Sequence, residues 1–219
     1  MIKRKLKQLR LFFHYIISVF LIFYLKFVCL TSKIIIKGRE DLLTDRDKKV
    51  VFTFWHGDSF ALYPLMVNRK DKLKLAIITT ADIRGNYIHF MCKHYGYNPI
   101  RLPNEVKDGN LLFKLRRFAN IDYDISVTLD GPLGPYHEPK LMVLSLAFFL
   151  GRCLVPISVR IKYKYKLKNR WDKYVILLPF NKIEYYIGEP LMVGKQVFTD
   201  NFEIVKNKIK NIMGDCLIE

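Results

Sequence analysis

The chain of 219 residues has four cysteines, at positions 29, 92, 153 and 216, and five histidines. No Cys-x-x-Cys pair occurs, and the wide separation of the cysteines offers neither a disulfide framework nor a zinc-ligand spacing. They read as reduced thiols packed as small hydrophobes, which places the folded part in a reducing, cytoplasmic environment. His89 and His94 are five residues apart and do not share a helical face, so no metal is expected. There is no Gly-x-Ser-x-Gly elbow and no cysteine beside a histidine at a strand end, so serine and cysteine nucleophiles lack a signature. A phosphate-cradling Gly-x4-Gly-Lys loop is also missing. Acidic residues are scarce: 20 Asp and Glu against 37 Lys and Arg give a formal net charge of +17. Such an excess favours anionic partners, either nucleic acid or an anionic membrane surface.

What is present separates those two. Hydrophobic residues make up 51% of the chain and aromatics 14%, and the mean hydropathy lies just above zero. A chain this apolar as well as basic points to the membrane and away from nucleic acid. Lys3, Arg4, Lys5, Lys7 and Arg10 precede residues 11–30, an apolar run broken only by His14, Ser18 and Lys26. Roughly 20 apolar residues are enough to span a bilayer. No small-residue cleavage site follows, which disfavours a removed signal peptide. The segment either crosses the bilayer or lies in the interface as an anchor. Lys33, Lys37 and Arg39 beyond it weaken the orientation rule for a simple span. A single crossing from a cytoplasmic N-terminus would also carry the domain away from cytosolic cofactors. A monotopic anchor is therefore preferred over a span, and over a buried core helix. The expected division is an anchoring helix at 1–32 and one α/β domain at 33–219.

Hydrophobic periodicity alternates between the strand and helix templates along that domain. Strands are expected at residues 33–37, 50–55, 73–79, 124–129, 154–161, 174–178 and 183–187, with a short extended piece at 96–102. Helices are expected at 58–67, 84–94, 110–119 and 140–150, and a last one from Asp200, whose offset to Glu203 fits a capping box. This order predicts an α/β fold: a mixed, mostly parallel sheet flanked by helices. Lys162, Lys164, Lys166 and Lys168 alternate with tyrosines and read as a solvated basic strip.

Two strand ends carry ionisable groups. Residues 50–55 run into His56-Gly57-Asp58, and residues 125–129 run into Asp130-Gly131-Pro132-Leu133-Gly134-Pro135. Ligands of open α/β sheets sit outside the carboxyl ends of the strands, so His56 and Asp130 are expected in one crevice. A neutral imidazole there suits a general base. Gly57 lets a substrate approach the backbone. The Asp130 segment reads equally as a shaped rim or as a plain turn.

Taken together, Phe54-Trp55-His56-Gly57, the double Gly-Pro segment, Val155-Pro156-Ile157, Trp171-Asp172-Lys173-Tyr174 with Leu178-Pro179-Phe180, and Gly188-Glu189-Pro190 resemble the lysophospholipid acyltransferase superfamily. The likeness is to a bacterial branch of formerly unknown function and covers about residues 35–195. The superfamily carries His-x4-Asp, but position 61 here is Ala61, as is common in this branch. Either another carboxylate orients His56 or none does, with Asp58, Asp82 and Asp130 as candidates and Asp130 the first choice. Asp130 also aligns with a glutamate that serves acceptor binding in the superfamily. The resemblance implies His56 and Asp130 as the catalytic pair and Asp58, Asp82, Arg84, Arg101, Gly131 and Pro132 as substrate-binding residues. Arg101 matches an arginine that faces acceptor phosphate in the family. It further implies direct acyl transfer from acyl-CoA or acyl-carrier protein to a lysophospholipid or related lipid, with no bound cofactor. Backbone N–H groups near Gly57 or Gly131 would hold the oxyanion. The expected location is the cytoplasmic face of the inner membrane, among anionic lipids. The competing reading is a non-catalytic basic membrane-surface protein that kept the fold and lost the base partner at position 61.

Overall fold

The computed structural model describes residues 2–44, 47, 49–69, 73–80, 83–102, 122–198 and 202–215. The helix expected at 110–119, the capping residue Asp200, the position of Asp82 and Cys216 lie outside the described residues. In chain order the elements are α1 (Ile2–Thr31), β1 (Lys33–Gly38), a 3-10 turn (Glu40–Leu43), β2 (Val51–Phe54), a 3-10 helix (His56–Leu62) running into α2 (Tyr63–Arg69), β3 (Leu75–Thr80), α3 (Ile83–His94), β4 (Asn98–Leu102), β5 (Asp124–Thr128), α4 (Leu141–Phe149), β6 (Leu154–Ile161), β7 (Lys164–Lys166), β8 (Val175–Leu177), β9 (Lys182–Ile187), a 3-10 turn (Lys195–Phe198) and α5 (Phe202–Asp215).

Among the described residues the main sheet has seven strands in the order β1-β9-β6-β2-β5-β3-β4. Neighbours run parallel except β6 and β9, which are antiparallel. The alternating pattern therefore yields the mixed, mostly parallel sheet expected of it. Helices cover both faces, so the central strands lack a solvated side; all four residues of β2 are buried. Phe52 and Phe54 pack with apolar residues of α1, α2 and α3 on one face. Val51 and Trp55 pack with α4 and α5 on the other. Helix α4 is almost wholly apolar because the sheet and α5 enclose it; Val143, Leu144, Leu146 and Ala147 are all buried. Cys92 is buried, Cys29 and Cys153 are half-buried, and all three are free thiols.

Strands β2 and β5 leave the sheet side by side because their register is pinned at both ends. The Val50 N–H donates to the buried Asp124 carboxylate at 2.7 Å, and the Leu129 N–H donates to the Phe54 carbonyl at 2.8 Å. Phe54 lies opposite Thr128. His56 and Asp130 thus emerge from adjacent strands at one edge. Because β9 runs against β6, with Ile183 opposite Ile161, the segment entering β9 lies at that same edge.

Helix α1 is apolar both on the face that meets the domain and on the face that does not. The stretch Leu11–Thr31 is long and apolar enough to cross a membrane, yet one stripe of it belongs to the core. Ile22, Leu25 and Val28 are buried, with Leu25 and Val28 fully so. Higher on the same stripe the His14 ring packs at a tilt against Tyr87 of α3. The Tyr24 hydroxyl donates to the Leu177 carbonyl of β8. The inner stripe of α1 is thus core, while its outer face remains the apolar candidate for membrane anchoring. Leu25→Ala should consequently destabilise the domain by about 2–5 kcal/mol, the usual cost of a leucine-sized cavity. Denaturant unfolding in mild detergent measures this; a loss under about 0.5 kcal/mol would mean that α1 is detached from the core.

Candidate functional site

The His56 imidazole stands at the mouth of the crevice, only partly covered. Its Nδ1 lies 2.9 Å from Oδ2 of Asp172. Asp172 comes from the turn between β7 and β8, 116 residues further on. Its fully buried carboxylate is held from several sides: Arg170 donates from Nε to Oδ1 at 2.9 Å and from its Nη2 to Oδ2 at 2.7 Å. The Tyr174 N–H adds a contact to Oδ1 at 3.3 Å. Burial by itself would raise the Asp172 pKa, but the hydrogen bonds from Arg170 and His56 outweigh it and hold it below the ordinary value. An ionised Asp172 accepts, so Nδ1 of His56 carries the proton and Nε2 presents its lone pair. The rings of Trp171 and Tyr174, 5.3 and 6.3 Å away, frame the imidazole.

Two glycines explain how the Trp171-Asp172 turn reaches His56. A Cβ on Gly57 would sit 2.1 Å from the Asp172 carbonyl oxygen, so only glycine lets the turn approach this closely. A Cβ on Gly134, whose φ is +70°, would meet the Trp171 ring at 2.4 Å. The double Gly-Pro rim is therefore the surface on which Trp171 lies, and Gly57 is the surface on which Asp172 lies.

The expectation that Asp130 orients the imidazole is corrected. Asp130 is adjacent to His56, but its Oδ1 accepts from the His56 backbone N–H at 2.8 Å, while the ring nitrogen faces Asp172. Asp130 ties the end of β2 to the rim. Its other oxygen, Oδ2, is buried with no hydrogen-bond partner among the described residues. Burial raises its pKa to about 6, against the opposing pull of the backbone N–H groups of His56, Asp130 and His137. Asp58 is likewise raised to about 6 by burial, with Lys164 and Lys166 opposing and Asp130 reinforcing. Neither Asp58 nor Asp130 contacts the imidazole nitrogen that Asp172 holds. Next to this pair His137 lies between Trp55 and Tyr136, at ring distances of 4.4 and 3.8 Å. Burial first, then Lys166, Lys173 and Lys210, lower its pKa to about 4, so it is neutral at pH 7.

Of the remaining expected substrate-binding residues, Pro132 lines the crevice with His56. Gly131 is buried, at φ +66°, and its N–H is directed to the Thr128 carbonyl at 3.3 Å. Arg101 is exposed on β4, three strands from β2, a displacement of about 14 Å at ordinary strand spacing. Its guanidinium lies against Gly85 in the first turn of α3, and the crevice lining does not include it. Arg84 belongs to α3, its side chain and the whole of Asp82 being outside the described residues. The basic strip of 162–168 is solvent-facing as expected, with β7 paired to β8 in a small separate sheet.

Behind His56 a cavity of about 580 Å³ runs into the layer between the sheet and helices α1 to α3. Phe52, Phe54, Ile77, Met91 and Tyr174 are among its walls, while His56, Ser59 and Arg170 mark its polar end. The volume is in the range of small-molecule sites, and its shape is that of an apolar chamber ending on an ionisable pair. Ala61, five residues after His56, is fully buried. Its carbonyl accepts a hydrogen bond from the Tyr185 hydroxyl, leaving that part of the 3-10 helix in the core.

Two outcomes follow from this geometry. Gly57→Ala should break the His56–Asp172 contact without unfolding the protein, seen as loss of the hydrogen-bonded Nδ1 proton resonance in the NMR spectrum; retention of that resonance would contradict the close-approach argument. Asp130 has its folded pKa raised above the ordinary 3.8, so the folded state holds the extra proton and stability falls as pH rises from about 4 to about 6. Asp130→Asn should therefore gain roughly 1–3 kcal/mol over the parent at pH 7 and little below pH 4, measured by unfolding at both pH values.

No family model matches the chain. An uncharacterized protein of Rickettsia prowazekii (strain Madrid E) is 29% identical over 203 residues, covering 90% of this chain and 84% of that protein. Among solved structures, the 1-acyl-sn-glycerophosphate (LPA) acyltransferase PlsC from Thermotoga maritima superposes with a TM-score of 0.54 over 98% of this chain and 97% of that one, at 15% identity. The chain has the acyltransferase-type fold of that enzyme.

Proposed function

We propose that the protein is a membrane-associated acyltransferase that moves a fatty acyl group from an acyl thioester to a lysophospholipid or related lipid. The observation that carries the reading is the apolar cavity of about 580 Å³ ending on the His56–Asp172 pair. An acyl chain suits such a chamber, and its thioester carbonyl then lies at the polar end. His56 Nε2 takes the proton from the acceptor hydroxyl or amine as that atom attacks the carbonyl carbon. Asp172 keeps the imidazole in the correct tautomer and stabilises the imidazolium. The tetrahedral intermediate carries its negative charge on the former carbonyl oxygen, for which we assign N–H groups on the Gly57 side. Collapse breaks the carbon–sulfur bond, and the imidazolium returns its proton to the departing thiolate. The products are the acylated lipid and a free thiol, with no acyl-enzyme and no cofactor.

The donor in this reading is acyl-CoA or an acyl-carrier protein, both anionic, and the exposed lysines of β7 lie beside the site mouth. Lys164 and Lys166 act electrostatically on Asp58, so an anionic donor approaching there meets positive potential. We place the protein on the cytoplasmic face of the inner membrane, held monotopically by α1. The non-catalytic alternative draws its support from Ala61, and Asp172 supplies a carboxylate to the base from elsewhere in the fold.

His56→Ala should lower acyl transfer about 10²–10⁴-fold with unchanged folding. Asp172→Asn should lower turnover more than it changes the Michaelis constant for acceptor. The measurement is lipid mass spectrometry on purified protein supplied with acyl thioester and lysophospholipid. Full transfer by folded His56→Ala would leave the fold standing and remove this mechanism.

A further inference from the structure

The outer face of α1 is uncovered: Phe20 and Phe23 are 70% and 65% exposed. A residue from far along the chain joins it. Phe180 is 69% exposed and packs edge-on against Phe27 with ring centroids 6.0 Å apart. Leu178 beside it is exposed as well. Phe180 sits at φ +56°, a left-handed conformation that is costly for a bulky side chain and persists only where the surroundings impose it.

Those surroundings are specific. The Phe180 N–H donates to Thr31 Oγ1 and the Asn181 N–H to Ser32 Oγ, each at 3.1 Å. The buried Asn181 amide donates to the Leu178 and Tyr163 carbonyls and accepts from the N–H groups of Tyr163 and Lys182. The loop is thus fastened to the end of α1 as one body, and these bonds hold the strained Phe180 backbone with its apolar ring in solvent. Exposed Lys26, Lys33 and Lys162 rim the patch. Lys33 is bound through its N–H to the Asn181 carbonyl at 2.9 Å and Lys162 to the Lys182 carbonyl at 3.1 Å. None of the three has a carboxylate partner among the described residues. The patch lies at the sheet edge that carries His56.

We propose that the outer face of α1 and the Leu178-Pro179-Phe180 loop form one seat for an anionic lipid bilayer, with α1 lying in the membrane plane and Phe180 inserted as a fixed wedge. A crossing helix would have to withdraw Leu25 and Val28 from the core. A second copy of the chain would bring like-charged lysine rims together, whereas anionic headgroups complement them. Aromatic and apolar groups above a basic rim match the interfacial arrangement of in-plane anchors. The inference deepens the monotopic placement and rests on it, but is independent of the chemistry at His56.

The test uses the full-length chain floated with phosphatidylcholine vesicles with and without phosphatidylglycerol. Phe180→Gly removes the ring and relieves the φ strain, so the unfolding midpoint should hold or rise while vesicle partition falls about tenfold or more. Phe180→Trp should add emission that shifts to the blue and is quenched by brominated acyl chains, after subtraction of the parent signal. A parent that floats, together with an equally bound Phe180→Gly and a water-exposed indole signal from Phe180→Trp, overturns the wedge and leaves the anchor. A parent that does not float overturns both. A vesicle-independent dimer dispersed by Phe180→Gly makes a second copy the occupant and overturns the bilayer seat. Acyl transfer enters none of these readouts.

Discussion

The contact between His56 and Asp172 organises this molecule. Neither residue is near the other in sequence, and neither strand end alone places them. The pair forms because Gly57 has no side chain where the Asp172 carbonyl must pass. Arg170 neutralises and orients the carboxylate through both of its oxygens. The β7–β8 turn is thereby locked over the carboxyl edge of the sheet. Trp171 then lies on Gly134, so the double Gly-Pro rim is fixed by the same turn. Replacing any of these contacts by a bulkier group moves the carboxylate, and a shift of an ångström is enough to lose the imidazole's orientation.

The site separates three carboxylates by environment. Asp172 is buried but richly hydrogen-bonded and stays ionised. Asp130 is buried with one oxygen unpartnered among the described residues and titrates near 6. Asp58 is raised comparably, although lysines of β7 oppose the rise. Of these three, Asp172 is the one that combines ionisation at neutral pH with contact to the ring nitrogen. Asp130 instead shapes the backbone, at a cost in stability above its pKa. Such a division, with one carboxylate held ionised against the imidazole and another shaping the backbone, places the strain of the fold close to the candidate site.

The strand-end argument is legible in the sequence because strand, turn and ionisable residue are consecutive in the chain. It places His56 and Asp130 side by side, and the alternating pattern carries the sheet. Asp172 stands in the sequence within the Trp171-Asp172 segment, yet its partnership with His56 is not legible there. Pairing across 116 residues depends on a turn folding back over Gly57, and periodicity carries no record of that. A signal exists: a glycine directly after the histidine, and Arg170 two residues before an aspartate that it could clamp. Arg101 falls outside the crevice because its motif match says nothing of how many strands intervene. The dual character of α1 is hidden for a different reason. Its buried stripe and its exposed face are both apolar, so hydropathy does not separate the half that meets protein from the half that does not.

The central claim is that the cavity behind His56 holds an acyl chain whose reactive carbonyl meets the imidazole. Photolabelling with a non-transferable thioether analogue of the acyl donor, carrying a diazirine at the far end of its chain, tests it directly. The account predicts covalent label on cavity-wall residues such as Met91 and Ile77, lost when the unmodified donor competes. Label confined to the outer face of α1, or spread over the surface and insensitive to competition, would contradict it.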